Sequence, residues 1–237
     1  HTVLEATKEP VWCVAISLKP YKGDRRSQSH ITQIDHIVLN VAQGKLDTAV
    51  KLYQELFNFK VQQSFKIETN SSGLTSQALI DDVGEVQFNI NQPTTANSQI
   101  QEFIDVNGGS GIQHLALRSQ NLIADVAQMQ ERVKFLTVPQ AYYDCLKPLL
   151  SLNAAEKAAV AQQQILVDSD RTSPQSLLMQ IFTQPIFEQP TFFLEFIERR
   201  HSAQGFGQGN FQALFEAVER QSKHLPPIQD CDRTTVR

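Results

Sequence analysis

Three side chains sit in surroundings that do not suit them. Glu195 lies in the middle of an apolar run, Thr191-Phe-Phe-Leu-Glu-Phe-Ile197. His36 and His114 are each central in a short apolar stretch, Ile34-Asp-His-Ile-Val-Leu-Asn40 and Gly111-Ile-Gln-His-Leu-Ala-Leu-Arg118. A buried carboxylate without a positive partner neutralises or costs heavily. Arg199 or Arg200, at the end of the same run, would give Glu195 an ordinary ion pair. A single histidine in an apolar strand is ordinarily a satisfied core residue. The alternative joins all three around one metal ion. Two imidazoles and one carboxylate leave one side of an ion open, as in the non-haem Fe(II) oxygenases. Zinc takes the same set with a water. No HExxH or CxxC spacing is present, so the donors would come from strands far apart in sequence, joined by the fold.

The elements that must position them follow from periodicity. Residues 191–197 alternate, with Phe193, Glu195 and Ile197 on one face and Phe192, Leu194 and Phe196 on the other. After the His36 strand, LDTAVKLYQELF repeats apolar residues at helical spacing through Leu46, Val50, Tyr53 and Phe57. A strand over Phe59–Phe65, a loop at Asn70–Gly73 and the strands SQALI and EVQFNI come next. At Gly111 the pattern restarts. The His114 strand leads into a helix read through Leu122, Val126, Met129 and Val133. PQAYYDCL, a helical NAAEKAAVAQQQ and the strands QILVDSD and LLMQIF precede the Glu195 strand. The body is thus an internal repeat: an apolar strand with a central histidine, a helix, then about three strands. Packed about a pseudo-two-fold axis, such units bring His36 and His114 to one centre, with Glu195 supplied by the second unit.

The bulk numbers suit this. The chain has 237 residues, 41% hydrophobic and 19% charged, with a net charge of −4. That balance argues against nucleic acid as a partner, and no apolar run approaches the roughly 18 residues of a membrane span. Cys13, Cys145 and Cys231 are odd in number and lack CxxC spacing, which reads as reduced thiols of a cytoplasmic protein. No signal peptide is visible. KPYKGDRRSQSH reads as a linker, dividing residues 1–30 from a body over 31–237.

From Ile34 to about His224 the sequence resembles the catalytic half of the 4-hydroxyphenylpyruvate dioxygenase family, within the vicinal-oxygen-chelate superfamily. The likeness rests on IDHIVLN, LYQELFNF, SQIQEFIDVNGGSGIQHLAL, ILVDSD, LLMQIFTQP, PTFFLEFIERR and GFGQGNFQALFEAVE. It implies an α+β fold of paired βαβββ modules forming an open, mostly antiparallel barrel, with a C-terminal helix, Asn210–His224, over the mouth. It also implies Fe(II) held by His36, His114 and Glu195, with Gln113 and Gln180 orienting substrate or dioxygen. Ser76, Asn91, Gln99, Phe182, Phe193, Phe206, Asn210 and Phe211 fall where the family surrounds its substrate. Gln113 and Gln180 each interrupt an apolar strand, where an unpaired amide is costly. Ser76, Asn91 and Gln99 taken alone would read as solvent-facing.

The implied reaction takes an aromatic α-keto acid, 4-hydroxyphenylpyruvate, and O2 as co-substrate to homogentisate and CO2, with no 2-oxoglutarate. A homo-oligomer, dimer or tetramer, is the implied assembly. Family members carry a preceding iron-free half, and HTVLE resembles its last strand, so residues 1–30 are expected to be its remnant plus a linker. The rivals are hydroxymandelate synthase on the same substrate, an extradiol dioxygenase using Tyr142 or Tyr143, and a non-catalytic aromatic-binding member.

Overall fold

The computed structural model of the protein describes residues 30–68, 73–144, 151–169, 175–189, 191–207 and 209–210. In chain order the elements are β1 (Ile31–Asn40), α1 (Leu46–Phe57), β2 (Lys60–Glu68), β3 (Gly73–Ile80), β4 (Gln87–Pro93) and α2 (Gln99–Asn107). Then follow β5 (Gly111–Ser119), α3 (Leu122–Met129), α4 (Gln140–Asp144), α5 (Ala154–Gln162), β6 (Leu166–Ser169), β7 (Leu177–Phe182) and β8 (Phe193–Arg200). The strands make one sheet in the order β2-β3-β4-β1-β5-β8-β7-β6. Most neighbours are antiparallel; β1 with β4 and β5 with β8 are parallel. The sheet curls into an open half-barrel with β2 and β6 at its edges.

The repeat read from the sequence organises this sheet. β1 and β5 pair antiparallel at its centre, with His36 opposite Ala116, Ile37 opposite Leu115 and Val38 opposite His114. The pairing is symmetric about Ile37 and Leu115, where a pseudo-two-fold axis passes. Each central strand then meets the last strand of its own unit in parallel, in the same register. Val38 stands opposite Asn89, and Ala116 opposite Glu195.

Local chemistry sets the ends of the helices. Asn58 closes α1 in the left-handed conformation at φ 57°. Ser98 caps α2 by accepting from the Ile100 N–H. Asn153 and Glu156 form a reciprocal capping box on α5. One face of the sheet is apolar and covered. α1, through Leu46 and Val50, lies over Leu79, Phe88 and Ile90, while α3 and α5 lie over Ile165, Val167, Met179, Ile181 and Phe196. Fully burying side chains of this size stabilises by about 1.5–3 kcal/mol each. α2 and α4 close the ends of the other face through Phe65, Leu74 and Phe103, and through Tyr142, Leu166 and Phe182. Between them the concave face is buried yet polar, with His36, Asn40, Ser76, Asn89, Asn91, His114, Gln180 and Glu195 all nearly inaccessible.

Two sequence expectations are corrected. α3 stops at Met129 and does not run on to Val133. The chain turns there, with the Arg132 and Val133 N–H groups both donating to the Met129 carbonyl at 2.8 Å, and this carries Phe135 to a bridge with Thr183. A tertiary pairing overrides the helical spacing. The last strand begins at Phe193, so Phe192 precedes it. The expected remnant and linker in residues 1–29, the three cysteines, the loop 69–72, Phe211 and the expected C-terminal helix beyond Asn210 lie outside the described residues. Among the described residues, no helix is long and apolar enough to cross a membrane.

Candidate metal centre

β1, β5 and β8 bring three side chains together on the concave face. Nε2 of His36 and Nε2 of His114 each lie 3.3 Å from Oε2 of Glu195. Their donor atoms all fall within 4.8 Å of one another, and all three residues are buried. Donors about 2.0–2.2 Å from one ion stand about 3 Å apart when adjacent, so the cluster has the dimensions of a coordination set. The far ring nitrogens support the same use. His36 Nδ1 donates to Asp35 Oδ1 at 2.9 Å and His114 Nδ1 faces Gln113 Oε1 at 3.3 Å. Each imidazole is thereby held with Nε2 turned toward the shared carboxylate, the arrangement that orients metal-binding histidines. The residues fit a divalent metal.

The charges explain how the cluster tolerates burial. Burial opposes ionisation of Glu195, but His36 and then His114 hold its carboxyl down at about 2. Burial also opposes protonation of His36, yet Glu195 and Asp35 raise it to about 9. Burial pushes His114 down, against the smaller pull of Glu195. The second charge in the site is Asp35, which the sequence reading did not single out. Its side chain has no exposure, and it meets Arg199 at 2.7 and 2.9 Å and Arg118 at 2.7 Å. Against burial, Arg199 and His36 hold its carboxyl far below the usual carboxylate range. The signal was present: a carboxylate beside a histidine in an apolar strand raises the same question as Glu195.

The ordinary ion pair weighed against the metal reading, Glu195 with Arg199 or Arg200, does not form. Arg199 belongs to Asp35, and Arg200 bonds Glu198 and Glu156 at 2.6 Å each. Arg199 also donates to the carbonyls of Ala203 and Gly205, at 3.2 and 2.7 Å. This folds the loop after β8 back over the centre and sets Phe206 edge-on to His36, ring centroids 5.2 Å apart.

Gln180 donates to Glu195 Oε1 at 2.8 Å and to the Phe206 carbonyl at 3.3 Å. A carboxylate only accepts, so Gln180 presents its NH2 there and its Oε1 accepts from Asn210 Nδ2 at 2.9 Å. The Asn210 amide lies 3.0 Å from the Tyr142 hydroxyl, which also accepts from the Val167 N–H at 2.7 Å. The Tyr142 hydroxyl is thus engaged with Val167 of β6 and with Asn210, and burial pushes the Tyr143 phenol up. Neither arrangement suits a tyrosine awaiting a proton from a catechol.

The remaining expected residues are dispersed around this core. Phe193 stacks on His114 at 4.7 Å and Phe182 meets it edge-on at 6.3 Å. Ser76 and Asn91 are fully buried on the concave face of β3 and β4, which removes the solvent-facing reading. Gln99 is half-buried at the start of α2. Gln113 is also only half-buried, and it reaches the site through its contact with the far side of the His114 ring.

Gly207 has φ +66°, and a Cβ added there would collide with Gln180 Oε1. Gly207→Ala is therefore expected to displace Gln180 from Glu195 and lower metal affinity. Titration with Mn(II) checks this, and an unchanged affinity would show the loop to be indifferent.

Residues 33–145 match the Glyoxalase/Bleomycin resistance protein/Dioxygenase superfamily. The chain is 46% identical over 198 residues to an uncharacterised protein of Synechocystis, covering 82% of this chain and 58% of that one. It is 39% identical over 191 residues to a 4-hydroxyphenylpyruvate dioxygenase of Legionella pneumophila, covering 80% of this chain and 54% of that one. The chain thus spans little more than half the length of these curated relatives. Among solved structures, a mutant 4-hydroxymandelate synthase from Streptomyces coelicolor superposes with a TM-score of 0.71 at 29% identity, over 81% of this chain and 56% of that one. Residues 33–145 match a domain of the glyoxalase/dioxygenase superfamily, and over about four-fifths of its length the chain is similar to the 4-hydroxyphenylpyruvate dioxygenases and to a 4-hydroxymandelate synthase.

Proposed function

We propose that this chain is the catalytic part of an Fe(II)-dependent dioxygenase that converts 4-hydroxyphenylpyruvate and O2 to homogentisate and CO2. The observation that carries the reading is the convergence of His36, His114 and Glu195, each anchored from behind, on a buried face that still holds unmet polar atoms. Iron bound there would chelate the keto acid of the substrate and activate dioxygen.

The chain's own groups do the rest. Asp35 and Gln113 fix the two imidazoles, while Gln180 occupies one oxygen of Glu195 and leaves the other for the ion. Among the described residues, Ser76 Oγ and Asn91 Oδ1 are buried without a hydrogen-bond partner, a costly state that polar groups of a bound substrate relieve. Phe182, Phe193 and Phe206 enclose the histidines and exclude water. Holding the substrate by its keto acid orients its ring, a proximity effect. Because the substrate is itself a keto acid, 2-oxoglutarate is not needed. A cytoplasmic homo-oligomer belongs to the same proposal.

The likeness to a hydroxymandelate synthase favours one second reading, in which the same substrate is hydroxylated on the benzylic carbon. Chromatography after incubation with Fe(II), O2 and 4-hydroxyphenylpyruvate separates the two. Homogentisate with CO2 is expected; hydroxymandelate would favour the second reading. An iron-loaded sample yielding neither product would remove both.

A further inference from the structure

The pseudo-two-fold axis gives every inward residue of the second unit a counterpart in the first. His114 maps to His36, since His36 pairs with Gln87 and His114 with Phe193, each two residues before the next inward pair along its unit's last strand. In the second unit, Ala116 faces Glu195, which faces Phe182 on the next strand. In the first, Val38 faces Asn89, which faces Ala78. Asn89 therefore stands in the first unit where Glu195 stands in the second.

The surroundings of Asn89 are unusual. Only 2% of it is exposed, and its Oδ1 has no hydrogen-bond partner among the described residues. Its neighbours across the strands, Val38 and Ala78, are apolar and buried, so neither can satisfy it. Phe88 and Ile90 pack under α1 on the outer face, so alternation turns Asn89 to the concave face with His36. A buried acceptor left unmet in this way is costly, and its place in the repeat points to what meets it.

We propose that Asn89 is the fourth inward-facing member of the metal centre, on β4, which lies across β1 and β5 from the strand of Glu195. This rests on the metal-centre reading of His36, His114 and Glu195. The Asn89 arm is one methylene shorter than that of Glu195, and its amide is neutral. With an ion bound, this shorter, neutral arm would leave room for a small exchangeable ligand such as water, and Oδ1 would accept a hydrogen bond from it. A carboxylate at this position would compete with that water. The amide is thus a specificity-determining choice that keeps this room open to incoming oxygen ligands.

The test uses the whole chain loaded with Mn(II), with affinity read by electron paramagnetic resonance and exchangeable water by proton relaxivity. Asn89→Asp adds a second carboxylate and is expected to tighten Mn(II) by about tenfold, since affinity follows ligand charge, and to lower the relaxivity per bound ion. Asn89→Ala removes the acceptor and opens space for a further water; affinity should change little while relaxivity rises. If Asn89→Asp does not fold, Asn89→Ala decides alone. Wild-type affinity and relaxivity in the variants that fold would overturn the proposal. Glu195→Gln is run beside them. Should it bind Mn(II) as the wild type does, the metal-centre reading itself fails. If Glu195→Gln loses Mn(II) and the Asn89 variants are unchanged, only the role given to Asn89 fails.

Discussion

Glu195→Gln is expected to lower divalent-metal affinity by more than about a hundredfold, beyond what loss of a supporting residue behind a ligand costs. The substitution keeps the shape and removes the charge. Oε2 of Glu195 is the atom on which both imidazoles converge, at 3.3 Å each. An amide there cannot balance an ion in a site with 1% exposure, where a charge is not offset by water. His114→Ala should lose metal for a simpler reason, since one of three donors is gone. Both variants should keep the fold, because the apolar layer beneath α3 and α5 does not include these side chains. Thermal unfolding with and without metal separates binding from folding. At a free metal concentration about 100 times Kd, binding to the native state alone stabilises it by about 2.7 kcal/mol. The wild type should gain that increment and the variants should not. A metal-induced shift in Glu195→Gln equal to that of the wild type would mean that the carboxylate holds no ion.

What the sequence discloses here depends on whether a residue's oddity is local. Glu195, His36 and His114 each interrupt an apolar strand, so their burial and their need for partners could be read directly. The repeat supplied the idea that they meet. Partner choice was not legible. Arg199 is four residues from Glu195, yet it pairs with Asp35, remote in sequence, because β1 and β8 both flank β5 and their inward side chains converge. The curl of the sheet and the irregularity at Asp35, between Ile34 and His36, make that contact, and no spacing rule reports either. Ser76 and Asn91 show the same limit: polar residues in alternating strands suit solvent as well as a concave interior. α3 failed for another reason, since its apolar spacing runs on to Val133 while the bridge between Phe135 and Thr183 requires a turn first. The equivalence of Asn89 with Glu195 rests on the strand registers, which are set by pairings between residues far apart in sequence.

Asp35→Ala is expected to be the most destabilising single change near the site. Asp35 is the common acceptor for Arg199, Arg118 and His36. The Arg199 side chain is only 8% exposed, so removing its carboxylate leaves a buried guanidinium without its counter-charge. Breaking a buried pair from one side costs about 3–5 kcal/mol. The loss spreads to the loop after β8, since Arg199 must keep its place to hold the carbonyls of Ala203 and Gly205, and with them Phe206 over His36. Arg118→Ala is the contrast. Its side chain is 33% exposed and Asp35 keeps Arg199, so a loss of about 1 kcal/mol or less is expected. Urea unfolding of the metal-free proteins measures both. Metal titration then isolates the second role of Asp35, as the acceptor that fixes the His36 ring. Asp35→Asn retains an acceptor of the same size, so it should bind metal more weakly than the wild type by about 10–100-fold at most, and Asp35→Ala more weakly still. Equal stability losses in Asp35→Ala and Arg118→Ala would show that Asp35 is an ordinary surface partner. Unaltered metal affinity in both Asp35 variants would show that the His36 ring is held by packing against Phe206 alone.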